Sequence, residues 1–182
     1  MSRAVENGVL LTFGLLGIVT AAGLLPTSTR SGARNLSAAD GQALQGLLAI
    51  LRGIQIGVQE GHWTVKGQSY YGDHLLLQRI YKSVDDEIDG LGERIVAYAG
   101  PDLVNSEVIT AKANALLREW RKRKSPIEQA LVAEESLQVA LRKTYDALKA
   151  SGGLSLGLDD FLMGIASAHD TNRYLLKQRL AG

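Results

Sequence analysis

The chain contains no cysteine among its 182 residues, and proline and phenylalanine are scarce, with three and two residues. Disulfide bonds, thiolate metal sites and cysteine nucleophiles are therefore excluded, although the redox compartment stays open. A formal net charge of +1 indicates no particular partner. The scarcity of helix breakers favours long helices. The length suits one domain with a sizeable core and an appended segment.

The first 35 residues differ in character from the rest of the chain. Val9–Leu25 carries no charge over seventeen residues, and Pro26 and a Ser/Thr/Gly/Arg linker follow. Seventeen residues is the short limit for a membrane span. A signal peptide with Arg3 at its positive end fits the same residues, as does an apolar tail on the assembly or a misassigned start codon. We predict residues 1–35 as a tail, signal or anchor, and residues 36–182 as the folded domain.

From Leu36 onward, apolar residues recur at intervals of three and four, the period of amphipathic helices. Ser37 is the expected N-cap of a helix that reaches about Trp63, with Asp40 in its first turn. We predict further helices over residues 69–98, 106–120, 125–150 and 157–180. Four long helices, with a short one between the second and the third, describe an all-α four-helix bundle with a crossover connection.

Glycines are unusually frequent in the first predicted helix, namely Gly41, Gly46, Gly53, Gly57 and Gly61. Each costs about 1 kcal/mol of helix propensity against alanine. Their presence predicts that a neighbouring helix approaches this one closely.

A row of polar side chains in the second predicted helix is the strongest functional signal. Its members are His74, Gln78, Asp85, Asp89 and Glu93, and His62 lies twelve residues before the first. Their intervals keep them near one helix face. A solvated acidic face would explain the carboxylates alone. It does not explain two histidines around a helix break, so the row predicts a divalent transition-metal site, for iron first.

Glu134 falls on the apolar face of the third long helix. A carboxylate there is compatible with a metal site inside the bundle, but no E-x-x-H sequence occurs in the chain. We therefore expect a buried Glu134 with an arginine or tyrosine partner.

Two segments of the chain carry a resemblance to a known family. The first holds His62-Trp63 with Gly67, then Tyr71 and His74, then Asp89 and Glu93-Arg94. The second is the last helix, from Asp159-Asp160-Phe161-Leu162 through His169-Asp170 to Tyr174-Leu175-Leu176. Over roughly residues 37–180 the chain resembles the Dps miniferritins, ferritin-like proteins that protect DNA during starvation.

The resemblance implies a ferritin-like four-helix bundle that assembles as a hollow dodecamer. Iron would be oxidised between two-fold-related subunits, by His62 and His74 of one subunit with Asp89 and Glu93 of its partner. The expected activity is that of a ferroxidase, in which hydrogen peroxide or dioxygen takes electrons from Fe(II). Ferric mineral would then collect in the cavity.

Further positions acquire expected roles from the resemblance. Gln78 stands where the family usually has an aspartate, and a neutral amide is a weak iron ligand, so we expect the His74 side to hold metal poorly. Trp63 is expected to pack over the site or intercept radicals, or to be an apolar interface residue. Asp159 and Asp160 begin the last helix, where carboxylates favour the helix dipole. By resemblance, Asp160 would line an acidic three-fold pore for iron entry.

DNA binding has weaker support. Many relatives bind DNA through a lysine-rich N-terminal tail, whereas the first lysine here is Lys66. A second candidate is the basic run of Arg118, Arg121, Lys122, Arg123 and Lys124, which is also typical of a solvated helix end. The alternatives to a ferroxidase cage are a nucleoid-binding cage with an impaired centre and an envelope-associated or exported miniferritin. We expect the protein to lie in the cytoplasm, at the nucleoid. Because of residues 9–25, a location in the envelope or export from the cell is the alternative.

Overall fold

The computed structural model describes residues 36–182, which form six α-helices and one 3₁₀ turn. The elements are α1 (Ala38–Thr64), α2 (Tyr70–Ser83), α3 (Asp85–Ala99), the 3₁₀ turn (Pro101–Val104), α4 (Ser106–Trp120), α5 (Pro126–Ser151) and α6 (Leu156–Ala181). Helices α2 and α3 together make up the second long segment of a four-helix bundle, and α4 is the short helix of the crossover. The predicted all-α architecture is confirmed.

The predictions for residues 1–35, a tail, signal peptide or membrane anchor, lie outside the described residues. Within residues 36–182, no helix is long and apolar enough to cross a membrane. The division of the chain at residue 35 stays a prediction.

Local sequence explains where the long helices begin. At the start of α1, the Ser37 hydroxyl accepts a hydrogen bond from the backbone N–H of Asp40 at 3.1 Å. At the start of α5, Ser125 and Glu128 form a reciprocal capping box, and Pro126 takes the first helical position. These side chains satisfy backbone N–H groups that a helix leaves without partners. The predicted starts of both helices are confirmed.

The prediction of one continuous helix over residues 69–98 is wrong. Val84, with φ of −88° and ψ of −8°, forms a turn that ends α2 and precedes α3. The first turn of α3 holds three acidic residues, Asp85, Asp86 and Glu87. Carboxylates are favourable there because they face the positive end of the helix dipole. The polar row predicted on one helix is therefore divided between two.

Helix α1 lies at the centre of the packing, in contact with α2, α3, α4 and α5. A side chain at Gly53 would meet Trp120, and one at Gly57 would meet Leu117, so α4 approaches α1 closely there. The predicted close approach is confirmed at these positions. At Gly46 the prediction is wrong, because no atom of a neighbouring helix lies within 4 Å of where its side chain would be.

Candidate metal centre

The two predicted histidines lie side by side where the chain turns from α1 to α2. His62 is in the last turn of α1 and is buried, while His74 is half-buried near the start of α2. Gly67, with φ of +105°, supplies a left-handed conformation in the connecting turn. The two rings stack with their centroids 3.7 Å apart and an angle of 26° between their planes. We call His62 and His74 the imidazole pair.

Each ring of the imidazole pair is held by the backbone of the other residue. Nδ1 of His62 lies 2.8 Å from the carbonyl oxygen of His74, and Nδ1 of His74 lies 3.0 Å from that of His62. Because a carbonyl oxygen only accepts, both Nδ1 atoms donate, and Nε2 of each neutral ring then carries the lone pair. Metal-binding histidines commonly donate their other nitrogen in this way. Both rings are thus preset in a tautomer that binds a divalent metal through Nε2.

Aromatic side chains surround the imidazole pair. The ring centroid of Tyr81 lies 5.3 Å from that of His62, and the centroid of Tyr70 lies 5.3 Å from that of His74. Trp63, next to His62, is 69 % exposed. A large apolar side chain this exposed beside a buried histidine suits contact with another molecule.

Asp89 and Glu93, which we call the carboxylate pair, lie one turn apart on α3 and are exposed. They line a shallow groove together with Leu48 and Arg52 of α1. Arg52 precedes His62 by ten residues, or about 15 Å along a helix. Within residues 36–182, no three His, Asp or Glu side chains converge on a metal position. The structure therefore forms each pair separately and does not unite the two pairs within one subunit.

The other members of the polar row lie apart from both pairs or beside only one. Asp85 accepts a hydrogen bond from the side-chain amide of Gln55, which ties the start of α3 to α1. Gln78 is half-buried on α2, one turn after His74. Only Gln78 is therefore placed to extend the imidazole pair.

The two aspartates of the predicted pore differ in their surroundings. Asp159 is half-buried and accepts a hydrogen bond from the Tyr145 hydroxyl, which raises the pKa of that hydroxyl. Asp160 is exposed. Asp159 is thus engaged inside its own subunit, and Asp160 is the one available to a neighbour. The pore itself stays a prediction.

The basic run lies at the end of α4 and in the turn before α5. Arg121 forms an ion pair with Glu60 of α1, and Lys122 forms one with Glu119. These acids neutralise part of the positive charge that DNA phosphates would otherwise meet. DNA binding by this run stays a prediction.

A buried cluster not predicted from the sequence lies inside the bundle. Nδ1 of His169 on α6 lies 2.5 Å from Oε2 of Glu134 on α5, and its Nε2 lies 2.8 Å from Oε2 of Glu87 on α3. Asn172 donates to the other oxygen of Glu134 at 3.3 Å. The prediction that Glu134 has an arginine or tyrosine partner is wrong, because its partners are His169 and Asn172. The one signal in the sequence was a carboxylate on an apolar face.

Opposite charges hold the members of this cluster together. Burial lowers the pKa of His169, but the hydrogen bonds and negative charges of Glu134 and Glu87 outweigh burial and raise it to about 9. A protonated imidazole donates from both nitrogens and so matches two carboxylates. Both nitrogens of His169 and both oxygens of Glu134 are engaged. The cluster is therefore a charged link between three helices, in which neither His169 nor Glu134 keeps a free atom for a metal.

No protein-family model and no curated protein matches the sequence, whereas several solved structures match the fold. Dps from Microbacterium arborescens in the high iron form matches with a TM-score of 0.64 and 20% identity, over 86% of this chain and 99% of that chain. DpsC from Streptomyces coelicolor matches with a TM-score of 0.65 and 19% identity, over 78% and 83% of the two chains. A Dps protein from Vibrio cholerae O1, described as a member of a superfamily of ferritin-like diiron-carboxylate proteins, matches with a TM-score of 0.65 and 17% identity, over 78% and 89%. The chain has the ferritin-like fold of Dps proteins.

Proposed function

We propose that the protein is a miniferritin that oxidises Fe(II) and stores the ferric product in a cage of identical subunits. The observation that carries this proposal is the imidazole pair, whose reciprocal hydrogen bonds leave Nε2 of each ring for a metal. The fold shared with Dps proteins supports it. Iron is here the substrate and the stored cargo.

The other half of the proposed site comes from a second copy of the chain. On α1, Arg52, Ile56 and Trp63 fall within about 40° of one another around the helix. Ile56 and Trp63 are 38 % and 69 % exposed, and this face runs from the carboxylate groove to the imidazole pair. A two-fold interface brings one patch of each subunit onto the same patch of the other. Antiparallel pairing of this face sets each carboxylate pair against the other subunit's imidazole pair and forms two equivalent sites.

The two pairs together suit iron oxidation. Imidazole and carboxylate ligands with open positions are typical of iron sites that react with oxidants. Two Fe(II) ions each lose one electron, and one hydrogen peroxide takes both electrons and two protons to become two water molecules. Carboxylates attract Fe(III) more strongly than Fe(II) because of its higher charge, and so they favour the oxidised product.

A site shared between subunits makes two inactive variants complement each other. His62→Ala removes an imidazole, and Glu93→Ala removes a carboxylate. In a mixed dimer of the two variants, one site loses both groups and the other keeps all four ligands. Half of the dimers are mixed after random association, so a 1:1 mixture refolded together recovers about a quarter of the wild-type rate of Fe(II) oxidation. Stopped-flow absorbance of Fe(III) measures this rate.

The matched control is a mixture of His62→Ala with His74→Ala. Both variants damage the imidazole side, which each site takes whole from one subunit, so no intact site forms. If the mixture of His62→Ala with Glu93→Ala is no faster than this control, the ligands do not come from different subunits.

Gln78 provides a gain-of-function prediction. Gln78→Asp places a carboxylate one turn after His74, where the amide is a poor ligand for a hard cation. Losing even an outer partner of a metal ligand costs 10- to 100-fold in affinity. We expect this added carboxylate to raise the affinity for the more weakly bound of the two metal ions in the site by about tenfold, as measured by Co(II) titration. Gln78→Glu, whose longer side chain shifts the carboxylate, is the control, and an unchanged titration of Gln78→Asp contradicts the role of Gln78.

DNA protection follows from the same chemistry without DNA contact. Consuming Fe(II) and hydrogen peroxide together removes the reactants that generate hydroxyl radicals. We accordingly propose a location near the nucleoid, with DNA binding by the basic run as a separate hypothesis. Cell fractionation, with mass spectrometry of the native N-terminus, tests the location against the envelope.

A further inference from the structure

The imidazole pair and the carboxylate pair are carried by different helices, because Val84 interrupts the segment between α2 and α3. Helical continuity therefore does not set the position of one relative to the other. We propose that α6 helps to set it, beside the packing of both segments on α1, through three side chains that each hold a neighbour of a proposed iron ligand. The inference rests on the proposed function, since it names the positioning residues of the same site.

The first contact holds α2. Arg179 of α6 donates from Nε and Nη2 to the two carboxylate oxygens of Asp73, the second at 3.1 Å. Asp73 is only 5 % exposed and immediately precedes His74. A forked guanidinium–carboxylate pair fixes direction as well as distance. It therefore orients the first turn of α2, and His74 follows directly after that turn.

The second contact holds the beginning of α3. Nε2 of His169 lies 2.8 Å from Oε2 of Glu87, and Glu87 stands two residues before Asp89. Residues two apart on a helix lie on nearly opposite sides. Holding Glu87 toward the bundle interior thus keeps Asp89 at the exposed face.

The third contact holds α3 two turns further on. The Arg94 guanidinium lies over the Phe161 ring, with its central carbon 3.8 Å from the ring centroid, and it also donates to the carbonyl oxygen of Gly90 at 2.9 Å. Arg94 immediately follows Glu93. Cation–π contact with the second turn of α6 therefore restrains the helix next to the second carboxylate.

The order of these contacts along the chain shows how α6 bridges the interruption at Val84. Along α6 the anchors are Phe161, His169 and Arg179, and their partners run backward as Arg94, Glu87 and Asp73. Helix α6 is unbroken from Leu156 to Ala181, and the reversed order of its partners means that it runs antiparallel to α2 and α3. Its anchors cover about 27 Å, more than half of the combined length of α2 and α3. One continuous helix thus links the segments on either side of Val84, in addition to the packing of both segments on α1.

The test uses Arg179→Gln, because the Arg179 side chain is 36 % exposed and glutamine puts a neutral amide in place of the guanidinium. Co(II) serves as the probe, since its visible absorption reports coordination geometry. We expect the affinity for Co(II) to fall about tenfold and the visible bands to change. Cage size should stay at its wild-type value, while the thermal midpoint falls because the nearly buried Asp73 loses its charged partner. The control is Lys177→Gln, also on α6, which removes an exposed ion pair with Glu135 of α5 and should bind Co(II) as wild type does.

The outcomes separate the positioning role from the proposed function. If wild type binds Co(II) and Arg179→Gln matches it in affinity and spectrum, the positioning role is wrong and the proposed function stands. A loss of affinity that accompanies loss of the cage also overturns the positioning role, because Arg179 would then only stabilise the fold. If wild type binds no more Co(II) than His62→Ala, the proposed function is wrong and the positioning role falls with it.

Discussion

Replacing His62 with alanine is expected to slow peroxide-driven Fe(II) oxidation by more than about 100-fold. Loss of an outer partner of a metal ligand already costs 10- to 100-fold in affinity, and His62 is a direct ligand in the proposed site. Its loss also removes the ring that donates to the carbonyl oxygen of His74 and stacks on the His74 ring. The remaining imidazole then loses its fixed orientation as well. Stopped-flow absorbance of Fe(III), with anaerobic Fe(II) and added hydrogen peroxide, measures the rate.

Glu93→Ala is expected to have a comparable effect, because it removes one of the two carboxylates of the site. Both variants should keep the helical circular dichroism and the cage size of wild type. Asp146→Ala is the control, since Asp146 is an exposed acid on α5 outside the site. Wild-type rates in both His62→Ala and Glu93→Ala would remove iron oxidation at this site from consideration.

Replacing His169 with leucine is expected to lower the free energy of unfolding by about 3 to 5 kcal/mol. The substitution fills the position with an apolar side chain but leaves Glu87 and Glu134 without their shared cation. Removing one partner of a buried ion pair is costly because the other charge stays in a low-dielectric interior. Urea denaturation at a fixed protein concentration measures the loss, since assembly makes stability concentration-dependent. Lys177→Ala, which breaks an exposed pair between the same two helices, should cost no more than about 1 kcal/mol.

The same histidine makes the stability of wild type depend on pH. Its pKa is about 9 in the fold and roughly 6.5 in an unfolded chain. Between these values the folded state binds more protons, so stability falls as the pH rises. The contribution is fully present below about pH 6.5 and is lost as the pH rises through about 9. The free energy of unfolding of His169→Leu should not show this fall at alkaline pH. A wild-type free energy of unfolding that stays constant through that interval contradicts a protonated His169 between the two carboxylates.

The starts of α1 and α5 and the existence of α4 were predictable from the sequence. Caps such as Ser37 and Ser125 act on backbone groups within three residues, and apolar periodicity acts within a few turns. The imidazole pair was also foreseeable, since only a short turn separates His62 from His74. The reciprocal hydrogen bonds that set both tautomers were not, because they depend on the angle at which α1 meets α2.

Sequence alone therefore determined the helices, their caps and the residue types of the candidate site, because these depend on neighbours along the chain. Tertiary structure decided the break at Val84, the distance between the carboxylate and imidazole pairs, and the partners of Glu134. His169 lies 35 residues from Glu134 and 82 from Glu87. Contacts over such separations arise from the packing of helices against one another. No local preference of the chain specifies which side chains that packing brings together.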